Sequence, residues 1–212
     1  MVCAICAVRR PKRHCPGVNG EICSICCGTE REVTVTCPLE CEYLRDSRQR
    51  ERPVLSPFKD RPAGEMRISE TFIREHEQFL TSLGAILGQA ALSTPGAFDR
   101  DVWDALEALI RTYRTLESGV YYETRPDTAV AGSLFRRVQE RLQEYRIEEQ
   151  RRLGVTKTSD SEILQGLMFF DRLGREYDNG RPRSRAFIGL LRNLVQSPEQ
   201  QDPVRDSLIV LP

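Results

Sequence analysis

Cysteine is the residue type in this sequence whose spacing points most directly to chemistry. The chain has 212 residues and eight cysteines, and all of them lie before residue 42. Several pairs are separated by two or three intervening residues, the spacing at which one tight turn presents two thiolates to the same metal ion. The segment has too few large apolar side chains to bury so many free thiols. We therefore expect all eight to be metal ligands, namely Cys3, Cys6, Cys15, Cys23, Cys26, Cys27, Cys37 and Cys41.

The N-terminal sequence also favours metal binding over disulfides. MVCAICAVRRPKRHC contains no apolar run followed by a cleavage site, so it is not typical of a secretory signal. No stretch reaches the roughly 18 apolar residues of a membrane span. We expect a cytoplasmic protein without membrane contact. Cysteines in that compartment are kept reduced and remain available to a metal.

The local pattern predicts two zinc ions in a treble-clef-like module. ICSIC is typical of a zinc knuckle, REVTVT at 31–36 predicts a strand, and CPLECEYLRDSRQRER predicts a helix with Pro38 in its first turn. One ion is therefore assigned to Cys23, Cys26, Cys37 and Cys41. The other is assigned to Cys3, Cys6 and Cys15, with Cys27 or His14 as its fourth ligand.

Three alternatives to this assignment stay open. In a cross-braced module, alternate cysteine pairs would share an ion. An iron–sulfur cluster is a less favoured occupant, because four-cysteine sites also serve iron. A reactive Cys27 outside the metal sites would make the protein a thiol or metal sensor. Zinc is structural both in the first assignment and in the cross-braced module, since catalytic zinc keeps one position open for water.

The sequence does not predict an enzyme. Its two histidines, His14 and His76, are too few for a convincing Ser/His/Asp or Cys/His triad. No phosphate-binding G-x4-G-K-[ST] loop is present in the sequence. His76 lies on the apolar stripe of a predicted helix, where we expect a core or boundary histidine.

Three polar segments are candidate contact sites. The net charge is zero, which argues against nucleic-acid binding by the whole surface. RRPKRHC is the best local candidate for nucleic acid, through Arg9, Arg10, Lys12 and Arg13. NGRPRSR offers an anion or acidic partner Arg181, Arg183 and Arg185. ESGVYYETRPD offers an interface Tyr121, Tyr122 and Arg125. Solvated surface, or packing at a helix end for the tyrosines, is the plainer interpretation of each.

The organisation predicted from the sequence is mainly α-helical. Residues 1–50 form the cysteine-rich module, 51–66 a proline-rich linker, 67–197 an antiparallel bundle of about five helices, and 198–212 a tail. Apolar periodicity predicts helices near 69–91, 100–117, 128–152, from Ser159 to the YDNG turn, and 183–196. Ser69, Asp99, Asp127 and Ser159 are the predicted starts or caps.

The segments ICSICCGTxR…CPxxCEYL and ALEALIRTYRTLESGVYYETRP resemble a group of uncharacterised bacterial proteins. Those proteins have a cysteine-rich N-terminus and a helical C-terminal region. The resemblance covers most of the chain and implies one shared design, but it implies no activity.

Taken together, the sequence favours a non-catalytic zinc-binding interaction or adaptor protein, with another protein as its partner. A nucleic-acid-binding or ribosome-associated factor and a thiol or metal sensor are the alternatives. No pattern indicates an oligomeric state.

Overall fold

The protein is mainly helical, with its cysteines gathered at the N-terminus. A computed structural model describes residues 1–50, 68–120 and 122–196. We call residues 1–50 the cysteine module and the described residues from 68 to 196 the helical region. The predicted linker at 51–66 and the predicted tail at 198–212 lie outside the described residues. In the described part of the chain, no helix is both long and apolar enough to cross a membrane.

The cysteine module is built from turns, one hairpin and two helices. Strand β1 (Arg13–Cys15) pairs antiparallel with β2 (Gly20–Ile22), with Cys15 opposite Gly20. Helix α1 (Ser24–Glu30) follows at once, and α2 (Glu42–Arg50) ends the module. The hairpin reverses the chain and so returns it to the turn at residues 3–6, where Ala4 donates a 2.8 Å backbone hydrogen bond to Glu21.

Two local predictions for this module are wrong. The strand predicted at 31–36 is a turn, because the backbone N–H groups of Val33, Thr34 and Val35 all donate to the carbonyl of Glu30. Only one bridge, between Arg31 and Val35, remains of the strand. The helix predicted to have Pro38 in its first turn begins later, at Glu42. Both Cys37 and Cys41 therefore lie before the helix.

The helical region contains six helices where five were predicted. They are α3 (Glu70–Glu75), α4 (Glu77–Leu92), α5 (Asp99–Glu117), α6 (Ala129–Leu153), α7 (Asp160–Glu176) and α8 (Ala186–Gln196). The extra helix arises because the first predicted one is interrupted at His76, whose φ of −114° and ψ of 23° are not helical. The His76 side chain is half-buried at the edge of the core, as predicted. Its Nδ1 lies 3.5 Å from Oε1 of Glu162.

The core of the helical region follows the apolar stripes predicted from the sequence. Its fully buried members come from different helices and include Leu83, Leu106, Leu109, Ile163 and Leu167. Helices α4 and α8 approach closely at Gly88, where an added Cβ would lie 2.8 Å from the carbonyl oxygen of Leu191. Leu39 of the cysteine module also packs into this core.

Two of the predicted helix caps are confirmed. Ser69 accepts from the N–H of Phe72, and Ser159 and Glu162 form a reciprocal capping box. The cap predicted at Asp127 is one residue off, since Thr128 accepts from Ala131.

Asp99 caps a different helix from the one predicted. It is buried, and it accepts hydrogen bonds from the N–H groups of Phe187 and Ile188 and from the hydroxyl of Ser184. It therefore pairs with N–H groups that have no intrahelical partner at the start of α8. Helix α8 begins at Ala186 and not at residue 183.

Candidate metal centre

Four cysteine thiols converge in the cysteine module. The sulfur atoms of Cys3, Cys6, Cys23 and Cys26 all lie within 4.8 Å of one another, and we call this group the Cys3 cluster. Cys3, Cys23 and Cys26 are buried. Within residues 1–50, 68–120 and 122–196, this is the one group of three or more candidate ligands whose donor atoms lie so close together. The eight cysteines form no disulfides, so the cluster consists of free thiols.

The local backbone explains why these four thiols meet. Cys3 and Cys6 lie on the turn at residues 3–6, closed by a 2.8 Å hydrogen bond from Ala7 to the carbonyl of Cys3. Cys23 is the N-cap of α1, and its sulfur accepts from the N–H of Cys26 one turn later. The N–H of Cys23 in turn donates to the sulfur of Cys3 at 3.2 Å, which joins the two halves of the cluster.

Backbone N–H groups around the cluster favour thiolates at its N-terminal half. Burial raises the pKa of Cys3, but hydrogen bonds from the backbone of Cys6, Cys23 and Ile5 outweigh it and lower that pKa to about 6. Hydrogen bonds from the backbone of Arg9 and Val8 likewise lower the pKa of Cys6. These N–H groups are fixed by the fold, so this half of the cluster is prepared to hold negative charge.

The pKa of Cys26 is shifted the other way. Burial raises it to about 12, and the neighbouring thiols of Cys23, Cys6 and Cys3 add to the shift. The four thiols therefore cannot all be ionised by themselves, since each thiolate disfavours the next. A bound divalent cation removes this repulsion, and tetrahedral zinc takes four thiolates at about 2.3 Å each. The residues present fit such an ion.

The partition of cysteines predicted from the sequence is wrong. Cys23 and Cys26 join Cys3 and Cys6, whereas they were predicted to join Cys37 and Cys41. The hairpin of β1 and β2 causes the difference, because it lays the first cysteine turn against the start of α1. The cross-braced alternative, in which alternate cysteine pairs share an ion, is the one consistent with this cluster.

The other four cysteines lie on a second side of the module. Cys15 ends β1, Cys27 lies on α1, and Cys37 and Cys41 flank the bend before α2. All four line one small cavity together with Ile22, Val35 and Leu44. Burial raises the pKa of the Cys37 thiol, and nearby negative charge on Glu32, Cys15 and Cys41 adds to it.

His14 is not placed to replace a cysteine at the Cys3 cluster. Its side chain is 57% exposed, and its Nδ1 lies 3.6 Å from Oε1 of Glu21 on the paired strand. His14 borders the cavity of Cys15, Cys27, Cys37 and Cys41 and is not part of the Cys3 cluster. The Cys3 cluster already has four thiols without it.

Two of the predicted nucleic-acid contacts are engaged within the module. Arg9 interacts with the thiol of Cys23, which raises the pKa of the guanidinium. Arg13 stacks on the ring of Tyr43, 4.0 Å from its centroid, and donates to the sulfur of Cys27. Arg10 and Lys12 are exposed.

Arg181 and Arg183 attach the helical region to the cysteine module. Arg181 Nη1 donates a 2.7 Å hydrogen bond to the carbonyl of Arg31, and Arg183 Nη1 donates to the carbonyl of Thr34. The Arg185 side chain is half-buried, and burial lowers its pKa. Arg181 and Arg183 were predicted to contact an anion or acidic partner. In the structure they bind carbonyl oxygens of the turn at 31–36, and contact with an anion stays a prediction.

Of the three predicted interface residues, two can be described. Tyr122 is 65% exposed, and Arg125 Nε donates to Glu123 at 2.8 Å. Tyr121 lies outside the described residues. An interface at this loop stays a prediction.

Glu32 is the residue at this site that sequence reasoning missed. It is 2% exposed and has a φ of 55°, which is rare for a residue with a side chain. Its carboxylate accepts from Arg48 at 2.6 Å, Asn179 at 3.0 Å and the N–H of Arg185 at 3.1 Å. Those partners lie far apart in the sequence, so no local spacing could have indicated them.

The chain was compared with protein families, curated proteins and solved structures. None of them matches it.

Proposed function

We propose that the Cys3 cluster binds a structural zinc ion and that the protein is a non-catalytic interaction protein. The convergence of four thiols within 4.8 Å carries this proposal. Four thiolates complete the tetrahedral shell of zinc and leave no position for water or substrate, as is typical of structural sites. The reducing cytoplasm predicted from the sequence would keep these thiols available.

Zinc is favoured over an iron–sulfur cluster by the size of the site. An iron–sulfur cluster places several iron and sulfide ions between its cysteines, whereas zinc is a single ion. Thiols this close together suit the single ion. Iron–sulfur absorbance in the purified protein would contradict this choice.

The order of elements further supports a treble-clef-like module around this ion. The Cys3–Cys6 turn, the β1–β2 hairpin and the first turn of α1 follow one another, and the first and last of these provide the ligands. The apolar core of the module contains few large side chains besides its cysteines, chiefly Ile22, Val35 and Leu44. Metal binding would therefore supply much of the free energy that folds it.

We also propose an antiparallel bundle for the helical region.

Exposed apolar side chains on the cysteine module support an interaction role. Val8 is 81% exposed and Ile25 is 53% exposed, and Val18 and Val33 are exposed as well. Such side chains on a small metal-stabilised scaffold are suited to a protein partner.

The proposal is tested by metal analysis followed by site-specific crosslinking. Protein purified without chelator should contain zinc, and Cys3→Ser/Cys6→Ser should lose the ion of this cluster. A photocrosslinking amino acid at Ile25 should then give a discrete protein adduct in cells, while one at Leu153, exposed on α6, serves as the control. Zinc-free wild-type protein, or equal labelling from both positions, would contradict the proposal.

Nucleic-acid binding is the second candidate, and the exposure of Arg10 and Lys12 favours it. Affinity for RNA or DNA should then fall steeply with salt, and Arg10→Glu/Lys12→Glu should abolish it. A flat salt response or no retention at about 50 mM salt would remove this candidate. A thiol sensor acting through Cys27 is the third candidate, and the labelling experiment in the next subsection decides it.

A further inference from the structure

We infer that Cys15, Cys27, Cys37 and Cys41 form a second four-thiolate zinc site, interleaved with the Cys3 cluster. We call these four residues the Cys37 set. The inference takes zinc as the ion from the proposed function, but it concerns residues that the Cys3 cluster does not use.

The first argument is shared placement. The Cys37 set comes from three separate parts of the module, the end of β1, the middle of α1 and the bend before α2. All four residues nevertheless line the same small cavity. Cys15 and Cys37 are buried, and Cys27 and Cys41 are half-buried. Free thiols need not lie around one cavity, whereas a metal ion requires several ligands from different segments to converge on it.

The adjacent pair Cys26 and Cys27 supplies the second argument. Both lie on α1, where successive side chains are about 100° apart around the helix axis. The sulfur of Cys26 belongs to the Cys3 cluster and that of Cys27 does not, while both residues border the cavity of the Cys37 set. One short helix thus contributes to both sites, and the paired cysteines are explained by two ions rather than by one.

Charge around Cys27 supplies the third argument. Four thiolates around one divalent zinc ion leave a net charge of about −2, and nearby cations offset it. Arg13 Nη1 and Arg31 Nη2 each lie 3.8 Å from the sulfur of Cys27. Two guanidinium groups therefore lie where they would offset the negative charge of a site that includes Cys27.

The Cys37 set is more open than the Cys3 cluster. Among the described residues, only the sulfur atoms of the Cys3 cluster converge as a group that could hold a metal ion. Binding an ion would therefore draw the four thiols inward around the cavity. The side chains of Cys27 and Cys41 can provide this movement, because both are half-buried.

The test counts zinc by native mass spectrometry in protein purified with reductant and without chelator. We expect two zinc ions in the wild type. Cys37→Ser/Cys41→Ser should retain one, and so should the matched variant Cys3→Ser/Cys6→Ser. Cys27→Ser should lower zinc occupancy of the second site, while His14→Ala should retain two ions. One ion in the wild type that persists in Cys37→Ser/Cys41→Ser would overturn the inference and leave the zinc of the Cys3 cluster intact. Absence of zinc from the wild type would overturn both.

A measurement on the wild type keeps the inference testable if a variant fails to fold. Cys27 and Cys41 are accessible enough for N-ethylmaleimide to reach them as free thiols. In zinc-loaded protein we expect both to be protected at least tenfold relative to chelated protein, read peptide by peptide. Rapid labelling of Cys27 and Cys41 in protein that holds zinc would overturn the inference. Labelling of Cys27 alone would also overturn the four-thiolate site, and it would support the sensor candidate.

Discussion

The side-chain amide of Asn179 donates a 3.0 Å hydrogen bond to the carboxylate of Glu32, 147 residues earlier in the chain. Glu32 belongs to the turn after α1, which carries Cys26 and Cys27, and Asn179 belongs to the loop before α8. The backbone N–H of Arg183 also donates to the carbonyl of Glu32, at 2.9 Å. One buried residue thus joins the cysteine module to the helical region.

Loss of the Glu32 carboxylate should destabilise the protein strongly. Glu32→Ala leaves the guanidinium of Arg48 and the amide of Asn179 without their acceptor. We expect the free energy of unfolding to fall by about 3 kcal/mol, since a half-removed buried ion pair costs several kcal/mol. Urea unfolding of zinc-loaded protein measures this.

Glu148→Ala is the matched control for Glu32→Ala. It breaks an exposed pair with Arg151 and should change stability by less than about 1 kcal/mol. Equal effects of the two substitutions would show that the Glu32 contacts do not hold the structure together.

Removal of the Arg181 and Arg183 side chains should loosen the turn at 31–36. Arg181→Ala/Arg183→Ala removes two hydrogen bonds to the carbonyls of Arg31 and Thr34. We expect faster amide hydrogen exchange at 31–36 and a loss of about 1–3 kcal/mol in stability. Arg151→Ala, at an exposed position, should leave exchange there unchanged. Unchanged exchange in the double variant would mean that these arginines do not anchor the turn.

Chelation should unfold the cysteine module and spare the helical region. The module's buried cluster consists largely of cysteines, whereas the helical region has a large aliphatic and aromatic core of its own. We expect hydrogen-exchange protection to disappear in residues 1–50 and to persist in α4, α5 and α7. Protection that survives in the module after complete zinc removal would contradict a metal-dependent fold.

Two glycine substitutions should have opposite effects. Gly88→Ala places a Cβ 2.8 Å from the carbonyl oxygen of Leu191 and 2.7 Å from Val195, so α4 and α8 must separate. We expect a loss of about 1–3 kcal/mol from this overpacking. Gly132 in α6 has no neighbouring atom within 4 Å of an added Cβ, so Gly132→Ala should stabilise by about 0.5–1 kcal/mol. Thermal or urea unfolding of both variants decides whether the α4–α8 contact is as close as described.

Asp99 should make stability depend on pH in a defined direction. Burial raises its pKa, although hydrogen bonds from Ile188, Ser184 and Phe187 oppose the shift. The pKa of Asp99 in the folded state lies above its ordinary value of 3.8. At pH values between the two, the folded state therefore binds more protons than the unfolded state. The contribution of Asp99 is therefore largest below pH 4 or so and declines as pH rises through the folded pKa.

This pH dependence is measured as a difference between two proteins. Asp99→Asn cannot ionise, and it has the same metal ligands as the wild type, so effects of pH on zinc binding cancel. The wild type should lose stability relative to Asp99→Asn as the pH rises from about 4 towards neutrality. A constant difference over that range would show that the pKa of Asp99 is not raised.

The sequence by itself determined which residues could bind metal and where most helices lie. Cysteine spacing and the small apolar content of residues 1–50 are local properties, and they led to the cluster that contains Cys3, Cys6, Cys23 and Cys26. Apolar periodicity predicted the buried stripes of α4, α5 and α7, because helix periodicity is visible within a few turns of sequence.

Only the tertiary structure decided which cysteines share a site and what the polar residues contact. The β1–β2 hairpin returns the chain to its beginning and brings Cys3 to Cys23, a pairing that spacing alone did not select. Asp99 accepts a hydrogen bond from Ser184, and Glu32 accepts one from the N–H of Arg185. Both donors lie just before α8, far along the chain from their acceptors. Contacts between residues so far apart depend on how the whole chain folds, and local sequence patterns do not contain that information.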